Sequence, residues 1–215
     1  MDRIPEISSS AVVLLGSFNP TIFQPEWFAR QKLLPVDEAE KAIVKVVVPQ
    51  VCQFETERFY LQVTNDRFQA GSKPNTEPAS LPDLVGGTFF ILEHTPVKGM
   101  GLNRAMHFAL GSEEQWHQFG DILAPKQRWN EVLKGRPGMR SLSIQTVDPN
   151  GSVLTVKVEP SAQVKFGVYF DTNQHYSAPE KEPLRFLMET LKQRWESSQE
   201  YASKVATHII GWVDE

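Results

Sequence analysis

The sequence predicts an α+β protein: a mostly antiparallel sheet with helices packed on one face, closed by one long amphipathic helix. Three observations predict it. Between residues 141 and 170, Leu142 and Ile144, then Leu154, Val156 and Val158, then Val164, Phe166, Val168 and Phe170 alternate with polar residues, the period of half-buried strands. From Leu184 through Leu187, Met188, Leu191, Trp195, Ala202, Val205 and Ile209 the apolar period lengthens to 3.6, with no Gly or Pro between Pro183 and Gly211. The order strand, helix, strands, helix is met twice, over 11–95 and 98–213, as an internal duplication within a single domain would leave it.

Taken in order, the apolar run 11–15 stops at Gly16 and reads as a buried strand, and Pro25 opens a helix over 25–34 that Pro35 ends. The β-branched run 42–48 and the alternating Phe59, Leu61 and Val63 give two strands, with a third over 68–70. Gly, Pro, Ser and Asn dominate 71–82, the composition of an exposed, mobile loop. Apolar residues three and four apart place a helix over 83–94, despite Gly86 and Gly87. A strand over 100–110 follows. Ser112 with Glu113 and Glu114 then opens a helix through Trp116, Phe119 and Leu123, and a further helical turn includes Trp129, Val132 and Leu133. The three strands of 141–170 form an antiparallel meander turning at Asp148-Pro149-Asn150-Gly151, and the final helix measures roughly 40 Å at 1.5 Å per residue.

Composition removes several classes. With 215 residues and 40% hydrophobic residues the chain has material for a core without staples. A formal charge of −4 supplies no bulk field for phosphate backbones, so charge gives nucleic acid no support. Cys52 is the one cysteine, which excludes an internal disulfide and fits a cytoplasmic protein. The polar start, 1–10, and the short apolar run after it indicate neither a secretion signal nor a membrane span.

No phosphate loop, dinucleotide fingerprint, nucleophile elbow or zinc-protease helix is present, and no cofactor or metal is implied. Gly99-Met100-Gly101 leads into a strand where a nucleotide site needs a helix. The five histidines lie in five different elements. His107 and His117, on a strand and the next helix, with Asp171 among the nearby carboxylates, are the one pair that suggests a metal-assisted hydrolase, and ordinary surface histidines are the alternative. Cys52, among Val48, Val51 and Phe54, reads as a small buried hydrophobe. The tryptophans fall at core spacing, apart from Trp212 near the end of the chain.

The pattern also predicts a polar sheet face opposite the helices. It carries Lys45, Tyr60, Gln62, Asn103, His107, Ser143, Gln145, Lys157, Lys165 and Tyr169. Tyr60, Gln62, Asn103, His107, Lys157 and Tyr169 are the candidate partner-binding residues, because tyrosines and amides recognise another chain at low entropic cost. A merely solvated face is the alternative. The expected function is non-enzymatic: an adaptor that engages a protein partner or a second copy of itself through this face or the long helix. Metal-assisted hydrolysis and nucleic-acid binding on the sheet are the other readings.

Gly99-Met100-Gly101-Leu102-Asn103-Arg104 and the helix from Leu184 to Trp212 carry two likenesses. The element order resembles a widespread family of uncharacterised bacterial proteins in which a mid-chain strand opening on Gly-Leu and a long terminal helix recur. That resemblance implies an accessory or defence-related setting and no catalytic residues. The doubled order is also similar in shape to the saddle of TATA-binding protein, whose open sheet grips the DNA minor groove with basic residues and paired phenylalanine wedges. Here the expected face has few lysines and no phenylalanine pairs.

Overall fold

The computed structural model describes residues 3–76 and 79–214. Its nine strands are β1 (Ile7–Gly16), β2 (Ile43–Val48), β3 (Val51–Glu55), β4 (Phe59–Thr64), β5 (Arg67–Ser72), β6 (Val97–Ala109), β7 (Leu142–Val147), β8 (Val153–Pro160) and β9 (Gly167–Ser177). The helices are α1 (Pro25–Arg30), α2 (Val36–Glu40), α3 (Leu81–Ile91), α4 (Glu113–Leu123), α5 (Gln127–Asn130) and α6 (Pro183–Gly211). All nine strands join one antiparallel sheet in the order β2-β3-β4-β5-β1-β6-β9-β8-β7. β1 and β6 pair along its midline, and outward from them run β5, β4, β3 and β2 on one side and β9, β8 and β7 on the other.

Alternation sends one side chain of every pair toward the helices. Val12, Leu14, Phe54, Leu61, Val63, Phe68, Met100 and Leu102 join Phe28, Leu81, Val85, Phe89, Leu187, Leu191 and Trp195 in one core. Met106, Phe108, Leu154, Val156, Val158 and Phe170 join Phe119, Ala206 and Ile210 in a second. The α+β class, the single helix-covered face and the long terminal helix are those the residue periods predict.

Several boundaries differ, each for a physical reason. The helix expected over 25–34 ends at Arg30, because Lys32 takes a left-handed φ of 60°, and a separate α2 follows Pro35. β3 goes unread in the sequence because β2 and β3 turn through Pro49-Gln50, which lacks the Asn-Gly chemistry that marks tight hairpins. Phe166 and Lys165 do not belong to a strand. Phe166 has a φ of 50° in a turn closed by Ser161 N–H to Gly167 O, so β9 starts at Gly167 and Lys165 leaves the sheet face. Within the loop expected over 71–82, Gly71 and Ser72 belong to β5 and Leu81 and Pro82 to α3, while Glu77 and Pro78 lie outside the described residues. The described part is tied to β1: Asn75 N–H donates to Ser8 O, Asn75 Oδ1 accepts from Ser8 N–H, and Asn75 Nδ2 donates to Glu6 O. Of the polar start, Met1 and Asp2 lie outside the described residues, and 7–10 already belong to β1. Among the described residues no helix is long and apolar enough to cross a membrane.

Candidate functional site

The helices leave the other face of the sheet bare, and its side chains follow from register. One row runs Glu55, Tyr60, Gly71, Ala11, Asn103, Asn173, Thr155, Gln145 across eight strands. The next runs Gln53, Gln62, Gln69, Val13, Gly101, His175, Val153, Val147. The midline of this face is therefore built of small residues, and larger neighbours lie flat over them. A Cβ at Gly71 would sit 2.3 Å from the Tyr60 ring, and one at Gly101 would sit 2.5 Å from Asn173 Nδ2, so a side chain at either position would displace its neighbour. Gln69 Nε2 donates to Tyr60 Oη at 2.8 Å, and Asn173 Nδ2 donates to Asn103 Oδ1.

At one end of the face His107 pairs with Tyr169 in register and stacks on it, ring centroids 4.6 Å apart. His107 Nδ1 lies 2.8 Å from Ser161 Oγ, which already accepts Gln163 N–H at 3.1 Å and Val164 N–H at 2.9 Å. The hydroxyl proton is thereby left for Nδ1, and the ring is neutral with its proton on Nε2. Burial holds the His107 pKa below its usual value. Burial first, then the charges of Asp171 and Glu159 and the Tyr60 phenol, push Tyr169 up to about 12. Asp171 is also raised, by burial, against the lowering effect of Lys157. The raised pKa keeps the Tyr169 phenol protonated, and the two backbone N–H groups it accepts make Ser161 Oγ a backbone cap with its lone pairs occupied.

All six predicted residues sit on this one face, but as a spread surface. Tyr60 and Asn103 are three strands apart, about 14 Å. Gln62 is exposed, and Lys157 pairs with Glu159 at 2.8 Å. Lys45 lies on the outer strand β2, where the register with β3 shifts. The pairing of His107 with His117 does not assemble: His117 is on α4, on the helix side of the sheet, where it meets Glu113 at 3.7 Å, while His107 and Asp171 face the open side. Among the described residues no group of three His, Cys, Asp or Glu side chains has metal-binding geometry. The sheet phenylalanines Phe54, Phe59, Phe68, Phe108 and Phe170 are all buried in the two cores, so none is available as a wedge.

Sequence reading missed a second polar feature. Ser72, Ser10, Arg104 and Thr172 form one row on the helix side, where most sheet residues are apolar. Gln199 of α6 crosses it: its Oε1 accepts from Ser10 Oγ at 2.7 Å and from Arg104 Nη1 at 3.4 Å. Ser72 Oγ accepts Ser10 N–H at 3.0 Å, and Thr172 Oγ1 donates to Arg104 O at 3.1 Å. The row lies at the seam between the two cores, and its Ser72, Ser10 and Arg104 line a cleft of about 1030 Å³ between α3 and α6. Polar residues at strand positions whose neighbours two away are apolar, such as Arg104 between Leu102 and Met106, were the available signal.

No protein-family model matches the chain, and comparison with curated proteins finds no match.

Proposed function

We propose that this chain is a non-catalytic binding protein whose open sheet face takes up a protein partner. The observation that supports this most directly is the chemistry of that face: amides, tyrosines and histidines laid flat over a midline of glycine and alanine, with no helix over it. Two of its cations are paired, Lys157 with Glu159 at 2.8 Å and Lys73 with Glu55 at 2.5 Å, while Arg67 donates to the Gln69 amide and Asp171 adds a further carboxylate. A face without surplus positive charge favours protein over nucleic acid, whose affinity comes chiefly from phosphate neutralisation. The likeness to bacterial accessory and defence proteins gives such a partner its setting, and the cytoplasm, which suits a lone buried thiol, is the compartment in this reading.

A photo-crosslinking residue placed at Gln62 or Thr155, on the open face, is expected to give one discrete protein adduct in the native host, and the same residue at Lys192 on α6 is expected to give none. With the crosslinking residue at Thr155, Gln62→Arg together with the charge reversal Lys157→Glu should abolish the adduct while the melting curve stays put. Adducts from Lys192 alone, or adducts indifferent to the charge reversal, would overturn the reading.

A further inference from the structure

The nine-stranded sheet ends in two free edges, and they are not alike. β2 carries two devices that discourage a further strand: a charge in its middle, Lys45, and an irregular register between Val44 and Val46. β7 carries neither. Leu142-Ser143-Ile144-Gln145-Thr146-Val147 holds no charge, no proline and no glycine, and it pairs with β8 residue for residue without a shift. Asp148 N–H donates to Ser152 O, which makes that pair hydrogen-bonded and fixes the alternation along the ladder. Leu142, Ile144 and Thr146 therefore spend their backbone groups on β8. Ser143, Gln145 and Val147 turn theirs outward, a row of three donors and three acceptors. Ile144 is 58% exposed on the helix side and Val147 67% exposed on the open side, so both faces of the edge offer apolar contact.

Charge indicates what would pair with it. The segment that delivers the chain to β7, residues 126–140, holds Lys126, Arg128, Lys134, Arg136 and Arg140 against Glu131 alone, in a chain whose net charge is −4. Lys126 is engaged by Asp121 at 3.2 Å, and Arg136 shares a cleft with the carboxylates of α4. Among the described residues no carboxylate lies within ion-pair distance of Arg128 or Lys134. Beside these cations Trp129 is 57% exposed, and Val132 and Leu133 are exposed as well. A second copy of the chain is a poor occupant. An antiparallel two-fold pairing of β7 with itself sets this basic segment beside the second copy's 148–151 turn, whose one carboxylate, Asp148, already accepts from Gln174 and Ser152, and a pairing of β7 with β2 meets Lys45 and the irregular register.

We infer that β7 is a strand-addition site for an extended, acidic segment of a partner protein, its backbone completing the β7 ladder and its carboxylates drawn by the basic segment that leads into β7. This surface is separate from the open face, and either can fail without the other.

The probe is a synthetic peptide of six alternating valines and threonines flanked on each side by two glutamates, compared with the same core flanked by lysines. On titration, the amides of Ser143, Gln145 and Val147 should shift and gain protection from hydrogen exchange, and the lysine-flanked peptide should bind at least about tenfold more weakly. Gln145→Pro removes one outward donor and no ladder bond, so it should abolish binding while β7 and β8 stay paired. Should that variant unfold, Arg128→Glu with Lys134→Glu serves instead and should invert the preference between the two peptides. Equal binding of both peptides, no protection at the three amides, or full binding by Gln145→Pro overturns the inference. Self-association abolished by Gln145→Pro gives the edge to a second copy, and displacement of the peptide by an oligouridylate gives the basic segment to nucleic acid; each of these also overturns it.

Discussion

Replacing Gln199 with leucine tests whether the polar seam beneath α6 is a structural joint. The change keeps the volume, so the cavity contribution is small and the loss is one of hydrogen bonds. Ser10, 3% exposed, loses the acceptor that Gln199 Oε1 provides at 2.7 Å, and Arg104 loses a contact that at 3.4 Å is already long. A buried hydroxyl left unmatched costs about 1–3 kcal/mol. The adjoining cleft lets water reach this one, which sets the expectation at about 1–2 kcal/mol, or a melting temperature lower by roughly 2–8 °C for a chain of this size. Urea titrations of the wild type, Gln199→Leu, Ser10→Ala and the double variant complete a cycle. Removing both partners should recover about 1 kcal/mol relative to the sum of the single changes. Strict additivity, or a Gln199→Leu protein at least as stable as the wild type, refutes the account.

On the open face, Gly71→Ala should destabilise by about 1–3 kcal/mol, because the added methyl occupies the Tyr60 ring position and displaces it from Gln69; the loss should shrink in a Tyr60→Ala background, as read by thermal melts. His107 gives a pH signature. Its folded pKa lies below the ordinary 6.5, so as pH falls through 6.5 the unfolded chain takes up a proton that the folded chain refuses; stability present above pH 6.5 is lost as pH drops toward the folded value, and His107→Gln should flatten that part of the stability curve. Cys52 is fully buried, its thiol pushed up to about 11 by burial and then by Glu26, and its Sγ–H donates to Phe23 O at 3.0 Å. Its reaction with a disulfide reagent should follow the opening of the structure in rising denaturant, and prompt reaction of the native protein would contradict this placement.

What the sequence made legible was whatever a period can carry. The alternation in β4, β8 and β9 and the 3.6-residue stripe of α6 placed the sheet, its buried side and the covering helix, because each pattern extends over several residues and tolerates local exceptions. Short elements were lost where the informative residue was a turn, at Pro49-Gln50 between β2 and β3 and at Lys32 after α1. The six face residues were found by parity alone, which says which side a residue occupies and nothing about what lies beside it. Register brings His107 against Tyr169 and keeps Tyr60 about three strands from Asn103, and register is set by pairings 52 to 100 residues apart in sequence that no local pattern encodes. The tryptophans show the same limit. Trp195 is core as its spacing implies, while Trp129, at similar spacing, is exposed because nothing folds back over α5.

The two faces of the sheet follow from one constraint. α6 runs past both cores, and where it crosses β1 and β6 an apolar contact is replaced by Gln199 over Ser10 and Arg104, so the helix is fixed to the sheet's midline by directional bonds at the point where the two cores part. On the other side of the same two strands stand Ala11, Gly101 and Ala105, too small to carry a helix-facing core of their own. Asn103, on the same strand, spends its side chain on Asn173 and its carbonyl on Gln199 from the opposite side, linking the seam to the open face through a single residue. A helix layer gains little on a face whose midline offers only Val13 and Leu15 as larger apolar side chains, because burying it would strand amides and histidines without repaying their desolvation. The face is left open by its composition, and its flat, hydrogen-bonding surface is the ground for the protein partner proposed above.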